Sequence, residues 1–179
     1  AIAAHPLNRP RLHRAASGAV TVVRGHGMLQ PRVATPLATA AGSSTVHGTW
    51  FHSLFAGQLG LDPYSAASSE VYQDLFDEGS ATGKGLIDVQ AAAEVLAHSL
   101  PEGQVLSHDL LEGSLMRCAG VSDVVLVEPA PMHADVAASR IHRWTRGDWQ
   151  LLPFLAHPRR WGLHAIHVWK MLDNLRRSL

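Results

Sequence analysis

Asp123-Val124-Val125-Leu126-Val127-Glu128-Pro129-Ala130-Pro131 is the stretch that decides the fold class. Four successive apolar residues between two acids read as the clearest strand of the chain, over residues 123–128. Pro129 and Pro131 then block its continuation, because proline cannot donate to a strand ladder. Beyond them residues 134–152 can run as one helix. A strand that feeds a helix across a hard boundary is the signature of an α/β architecture.

Working outward, residues 19–24 and 28–33 are short β-prone runs on either side of Gly25-His26-Gly27, which predicts a hairpin or bent strand pair. Residues 35–45 are rich in Pro, Ala, Gly and Ser and read as a loop. A short helix is expected over residues 50–58, ended by Pro63, and a further helical turn over 70–76. Gly79, Gly83 and Gly85 fall within seven residues, followed by a brief strand at Leu86-Ile87. Asp88 is placed to cap a helix over residues 89–100, which Pro101 and Gly103 close. Val105-Leu106 reads as a strand end, and a helix over 109–119 is expected to stop at Gly120. Cys118 then lies on that helix as core filler. At the C-terminus Leu163, Ile166, Trp169, Leu172, Leu175 and Leu179 fall near one helical face, with Lys170, Arg176 and Arg177 outside it, which predicts an amphipathic helix.

The chain has 179 residues and 46% hydrophobic content, enough for one domain with a sizeable core. No apolar run reaches the roughly 18 residues that a membrane span needs. No apolar segment of a secretory signal follows the N-terminal His, Arg and Pro. The sequence opens at Ala1 in mid-pattern and reads as an excised piece of something larger. One cysteine excludes an internal disulfide framework and a cysteine-based zinc site. The net charge of zero conceals segregation: twelve acids against two bases over residues 70–135, then eight bases against two acids over 140–179. That balance fits an anionic ligand or an anionic membrane surface. It does not fit nucleic acid, whose domains are basic overall and carry motifs absent here.

The basic segment holds Arg140-Ile141-His142-Arg143-Trp144-Thr145-Arg146-Gly147-Asp148-Trp149-Gln150. Residues three and four apart share a helical face, so Arg140, Arg143 and Trp144 can present together. Guanidinium forks match phosphate oxygens and an indole offers a flat surface to a sugar ring. The same residues also suit a surface helix with two buried tryptophans and solvated arginines, and spacing does not separate the two readings.

Several strings resemble, in order, the glycosyltransferase domain of cyclic β-1,2-glucan synthases. They are Glu78-Gly79-Ser80-Ala81-Thr82-Gly83-Lys84-Gly85-Leu86-Ile87-Asp88-Val89, Leu106-Ser107-His108-Asp109-Leu110-Leu111-Glu112-Gly113, and Asp135-Val136-Ala137-Ala138-Ser139-Arg140 leading through Arg143-Trp144 to Pro153. His5-Pro6-Leu7-Asn8-Arg9-Pro10, Gly27-Met28-Leu29-Gln30-Pro31-Arg32-Val33 and Lys170-Met171-Leu172-Asp173-Asn174-Leu175-Arg176-Arg177-Ser178-Leu179 extend the likeness over nearly the whole chain. It implies the C-terminal half of a GT-A-like (nucleotide-diphospho-sugar transferase) α/β fold. Residues 1–153 would form the acceptor-side half and 154–179 an amphipathic membrane-interface segment. It also implies inverting transfer of glucose from UDP-glucose to a growing β-1,2-glucan, at the cytoplasmic face of a bacterial inner membrane, as part of a larger multi-pass enzyme.

Ser107-His108-Asp109 resembles the Thr-Glu-Asp motif of the broader processive family that includes cellulose synthases. Its aspartate is retained while the first two positions differ. By that likeness Asp109 is the base that takes the acceptor hydroxyl proton, a step that needs one carboxylate. By position alone it is equally a helix N-terminal acid satisfied by backbone N–H groups. Arg140-Ile141-His142-Arg143-Trp144 resembles Gln-x-x-Arg-Trp, with Arg140 in place of glutamine and Trp144 thirty-five residues past Asp109. The likeness implies that Arg143 binds the pyrophosphate and Trp144 stacks on the acceptor glucose. Glu78, Gly79, Ser80 and Lys84 resemble the acceptor-side loop of processive synthases. A phosphate-binding P-loop is excluded, since three residues and not four separate Gly79 from Gly83, and glycine follows Lys84. A glycine-rich turn with a solvated lysine is the plain alternative.

Twelve histidines invite a metal site, and His164 with His167 or His5 with His13 are the obvious pairs. No acidic third ligand lies near them in sequence, so none is assigned. The Asp-x-Asp motif that holds a divalent cation (Mg²⁺ or Mn²⁺) in the family is absent. The resemblance therefore implies that the rest of the parent polypeptide supplies the metal ligands and the uridine pocket, and that this chain alone is inactive. A synthase of another β-linked polysaccharide and a non-catalytic glucan- or membrane-binding remnant are the other readings. Asp62-Pro63-Tyr64 looks like a family turn without an assigned role.

Overall fold

The computed structural model describes residues 2–16, 18–34, 49–55, 71–97, 99–101, 103, 105, 109–176 and 178. The expected loop over 35–45, Asp62-Pro63-Tyr64, Ser107, His108, Arg177 and Leu179 lie outside the described residues. Among those described, the fold is mixed α/β. Strands β1 (Arg11–Arg14) and β2 (Val20–Arg24) form an antiparallel ribbon. A second sheet has β3 (Met28–Ala34) at its centre, with β4 (Leu86–Ile87) antiparallel on one side and β5 (Cys118–Val127) parallel on the other. The helices are α1 (Trp50–Phe55), α2 (Val71–Phe76), α3 (Val89–Leu96), α4 (Asp109–Met116), α5 (Ala134–Gln150), α6 (Leu152–Ala156) and α7 (Ala165–Arg176).

The run at 20–24 therefore pairs backwards with β1 and not forwards with β3, which corrects the expected hairpin. The connection explains why. His26 N donates to Asn8 O, Gly27 N to Met116 O, and Gly27 O accepts from Asp88 N, so the turn is claimed by three other elements. β1 was invisible in the sequence because Arg11-Leu12-His13-Arg14 is short and three-quarters basic.

A second correction concerns Cys118. Helix α4 ends at Met116, Arg117 takes a left-handed φ of 52°, and Cys118 opens β5 instead of continuing the helix to Gly120. A non-glycine residue in that region costs energy. Here the Arg117 guanidinium reaches Asp77 Oδ2 at 3.0 Å, Glu78 Oε1 at 3.3 Å and the Val23 carbonyl at 3.3 Å. The Cys118 side chain is fully buried all the same. Val105 is not assigned to a strand, and its expected partner in that strand end, Leu106, lies outside the described residues. In the parallel pair the register slips between Pro31 and Arg32, where proline has no N–H to give.

The Asp88 cap forms as expected, its carboxylate accepting from Ala91 N at 2.9 Å. The main core joins Val20 and Val22, Ala91 and Val95, Leu111, Leu115 and Met116, Leu151 and Phe154, Leu163 and Met171. Each large side chain so buried contributes about 1.5–3 kcal/mol. Residues 154–179 thus share the core of the body through Phe154, Leu163, Met171 and Leu175. The apolar stripe expected on the last helix is split, with Leu163 and Leu175 turned inward. Trp169 and Leu172 are exposed, whereas His167 and Lys170 are buried. Met171 and Leu175, with His167 and Lys170 between elements, set the helix rotation because they fill the core and reach polar partners.

Candidate active site

The loop from Glu78 to Gly85 is built from the centre of the sheet. Gln30 is buried in β3, and its amide Nε2 donates to the Pro31 carbonyl at 2.8 Å. Its Oε1 accepts from Thr82 N at 2.9 Å and Lys84 N at 3.4 Å, so one strand side chain holds two loop amides. Gly79 N donates to Cys118 O at 2.7 Å, which ties the loop's entry to β5. Gly83 has φ +80°, and a Cβ there would stand 2.5 Å from Asp109 Oδ2. The carboxylate of Asp109 is therefore packed on the bare face of Gly83. Asp109 itself is the first residue of α4 and half-buried.

Lys84, on the same loop, reaches Glu128 Oε1 at 3.1 Å. Glu128 directly follows β5, and Arg140 Nη2 approaches the same oxygen at 3.4 Å. Arg140 Cζ in turn lies 4.7 Å from the centroid of the Trp144 ring, within cation–π range. Glu128 N donates to Ala34 O at 2.9 Å, placing this cluster at the C-terminal ends of both parallel strands. That is where open α/β sheets form ligand crevices. Pairs this exposed contribute only about 0–1 kcal/mol each, so their consequence is positional. Arg143 is exposed on α5, and Trp144 is partly exposed.

The structure thus brings Asp109 together with the glycine loop, and Lys84 with Arg140 and Trp144. Glu78 faces elsewhere. Its carboxylate meets His167 Nε2 at 2.5 Å and Arg117 Nε at 3.3 Å. Burial pushes the Glu78 pKa up, but the His167 hydrogen bond and the charges around it outweigh burial and hold it below its ordinary value of 4.5. A carboxyl depressed on folding stabilises the native state above its unfolded pKa, and that contribution is lost as pH falls through the folded value. The Glu78 contribution to thermal stability should be level from pH 7 to about pH 5 and fall below pH 4.5. In Glu78→Gln the acid slope should be shallower. An unchanged slope would contradict the pairing.

Ser80 is buried, and neither its Oγ nor Thr82 Oγ1 has a hydrogen-bond partner among the described residues. Gln30, Glu128, His167 and Lys170 were missed in the sequence. A lone amide within the apolar run of β3 and an acid at a strand end before Pro129 were available signals. In the sequence His167 stands out only as half of a metal pair with His164, and Lys170 only as a base outside the apolar stripe of the last helix. Among the described residues no group of three or more His, Cys, Asp or Glu could hold a metal ion, so a divalent cation has no ligand set there. No helix among them is long and apolar enough to cross a membrane.

The arrangement offers a carboxylate on a rigid helix start, a glycine loop beside it, two arginines and a lysine for anionic groups, and an exposed indole. No protein-family model matches the chain. A curated cyclic beta-(1,2)-glucan synthase, NdvB of Rhizobium meliloti (strain 1021), is 49% identical over 175 residues. The match takes in 98% of this chain and 6% of that protein's length. Along nearly its whole length, the chain is related to one segment of the cyclic β-(1,2)-glucan synthases.

Proposed function

We propose that the chain forms the acceptor side of a glucosyltransferase site in a synthase of cyclic β-1,2-glucan. The observation that carries this reading is the Asp109 carboxylate set against Gly83 of the glycine loop. The acceptor hydroxyl oxygen attacks the anomeric carbon of UDP-glucose from the face opposite the diphosphate. Asp109 takes the hydroxyl proton as the C–O bond forms. The anomeric C–O bond to the diphosphate breaks, and UDP leaves with inversion. Arg143, exposed on α5, meets the charge that builds on the diphosphate, a role in which a fixed guanidinium needs no reorganisation. Arg140 holds the Trp144 ring, which takes the acceptor sugar on its free face, and the exposed Lys84 lines the acceptor path, with Ser80 buried beneath the loop.

In this reading the nucleotide pocket and the ligands of a divalent cation come from other parts of the synthase, and the 179 residues alone do not transfer glucose. The exposed side of the last turns (Arg159, Arg160, Trp169, Leu172 and Arg176) faces an anionic cytoplasmic membrane surface. Basic residues there contribute about 1 kcal/mol each. Co-sedimentation with anionic vesicles that falls with salt supports that face, and equal recovery with neutral vesicles contradicts it. The function is tested with the synthase polypeptide that carries this chain, supplied with UDP-glucose. The expected product is β-1,2-linked glucan by linkage analysis. Another β linkage would assign it to a different polymer, and no incorporation would make it a binding remnant.

A further inference from the structure

Lys170 is 5% exposed, and its Nζ donates to two successive carbonyls, Gly79 O at 2.9 Å and Glu78 O at 3.1 Å. The same ammonium lies 4.7 Å from the centroid of the Tyr72 ring. Burying a charge is unfavourable unless donors are matched by acceptors, and an apolar side chain would fill the space at less cost. What the lysine adds is direction. One ammonium bound to consecutive carbonyls fixes the orientation of both peptide planes at the loop's entry.

A second residue of the same helix completes the hold. His167 Nδ1 accepts from His164 N at 3.1 Å, so Nε2 carries the proton and donates to Glu78. Gly79 N is tied to Cys118 O on the other side. Four residues later the chain reaches Gly83, the glycine that meets the Asp109 carboxylate. A Cβ at Gly79 would stand 2.7 Å from Gly120 N, so the entry has no room to move toward β5.

We propose that Lys170, assisted by His167, is a positioning residue for glucosyl transfer: helix α7 clamps the entry of the acceptor loop and so sets Gly83 against Asp109. This rests on the proposed function for its catalytic consequence, while the clamp itself stands on geometry alone. The test uses Lys170→Met, which keeps the stem and removes the donors. Leu175→Ala serves as the control, since Leu175 is buried on the same helix and its apolar side chain has no donor to offer Glu78 or Gly79. Amide hydrogen exchange is read on the 179-residue chain and transfer kinetics on the synthase polypeptide.

In Lys170→Met the amides of Gly79, Thr82 and Lys84 should exchange faster while Val95 keeps its protection. The glucan-acceptor KM should rise with the UDP-glucose KM within about twofold, and kcat/KM for acceptor should fall by about 10²-fold, the scale of a 1 Å misplacement. Leu175→Ala should lower protection throughout and leave the acceptor KM unchanged. Loop amides that exchange as in the parent, or equal loss of protection at Val95, would overturn the clamp. Altered loop exchange in a polypeptide that transfers no glucose would keep the clamp and overturn the proposed function instead.

Discussion

Asp109→Asn is expected to reduce glucosyl transfer by about 10²–10⁴-fold, the usual worth of a positioned general base. UDP-glucose affinity should survive, since the carboxylate faces the glycine loop and not the basic side of α5. Asparagine is nearly isosteric, so its contact with Gly83 persists and the fold should be kept. It can still accept a backbone N–H at the start of α4, which separates the chemical role from a capping role. Were Asp109 only a helix-start acid, the variant would lose a little stability and keep its rate. Activity within about tenfold of the parent would contradict the base assignment.

Arg143→Ala and Trp144→Ala should fail in different ways. Arg143 is exposed, whereas Arg140 is drawn to Glu128 and to the Trp144 ring. Removing Arg143 should slow transfer by about 10²–10³-fold and weaken inhibition by UDP, because in the proposed mechanism that donor meets leaving-group charge. Removing the indole should leave UDP inhibition unchanged, raise the acceptor requirement and shorten the products. A Trp144 variant that binds UDP poorly yet uses glucan acceptors normally would show the two roles to be reversed.

The local signals were legible where one element decides its own structure. The second half of β5 reads from four apolar residues stopped by prolines, and the α3 cap from Asp88. Its first half, Cys118-Ala119-Gly120, has weak strand propensity and becomes strand by pairing with Met28, Leu29 and Gln30. β2 found β1 instead of β3 for the same reason, since contacts of Gly27 with Met116 and Asp88 redirect the chain. In the candidate site, Asp109, Lys84, Arg140 and Trp144 stand out by their motifs. Their assembly through Gly83 and Glu128 could not, because it depends on how β3 and β5 pair. Glu78 shows the limit most plainly. Its motif suggested a substrate ligand, yet its carboxylate is held by His167, 89 residues away.

The central claim is that Gly83 acts through the Asp109 carboxylate, and a double-mutant cycle tests it directly. Gly83→Ala places a methyl group against Oδ2 on a left-handed backbone and should displace the base, with a loss of about 10²-fold for a shift near 1 Å. In the Asp109→Asn background no base remains to be displaced, so the same substitution should cost little more. Transfer rates of the four proteins, measured at saturating UDP-glucose with folding checked by thermal melting, give the coupling. Strong non-additivity is the predicted result. Losses that multiply independently would mean the glycine loop and the aspartate do not form one catalytic unit.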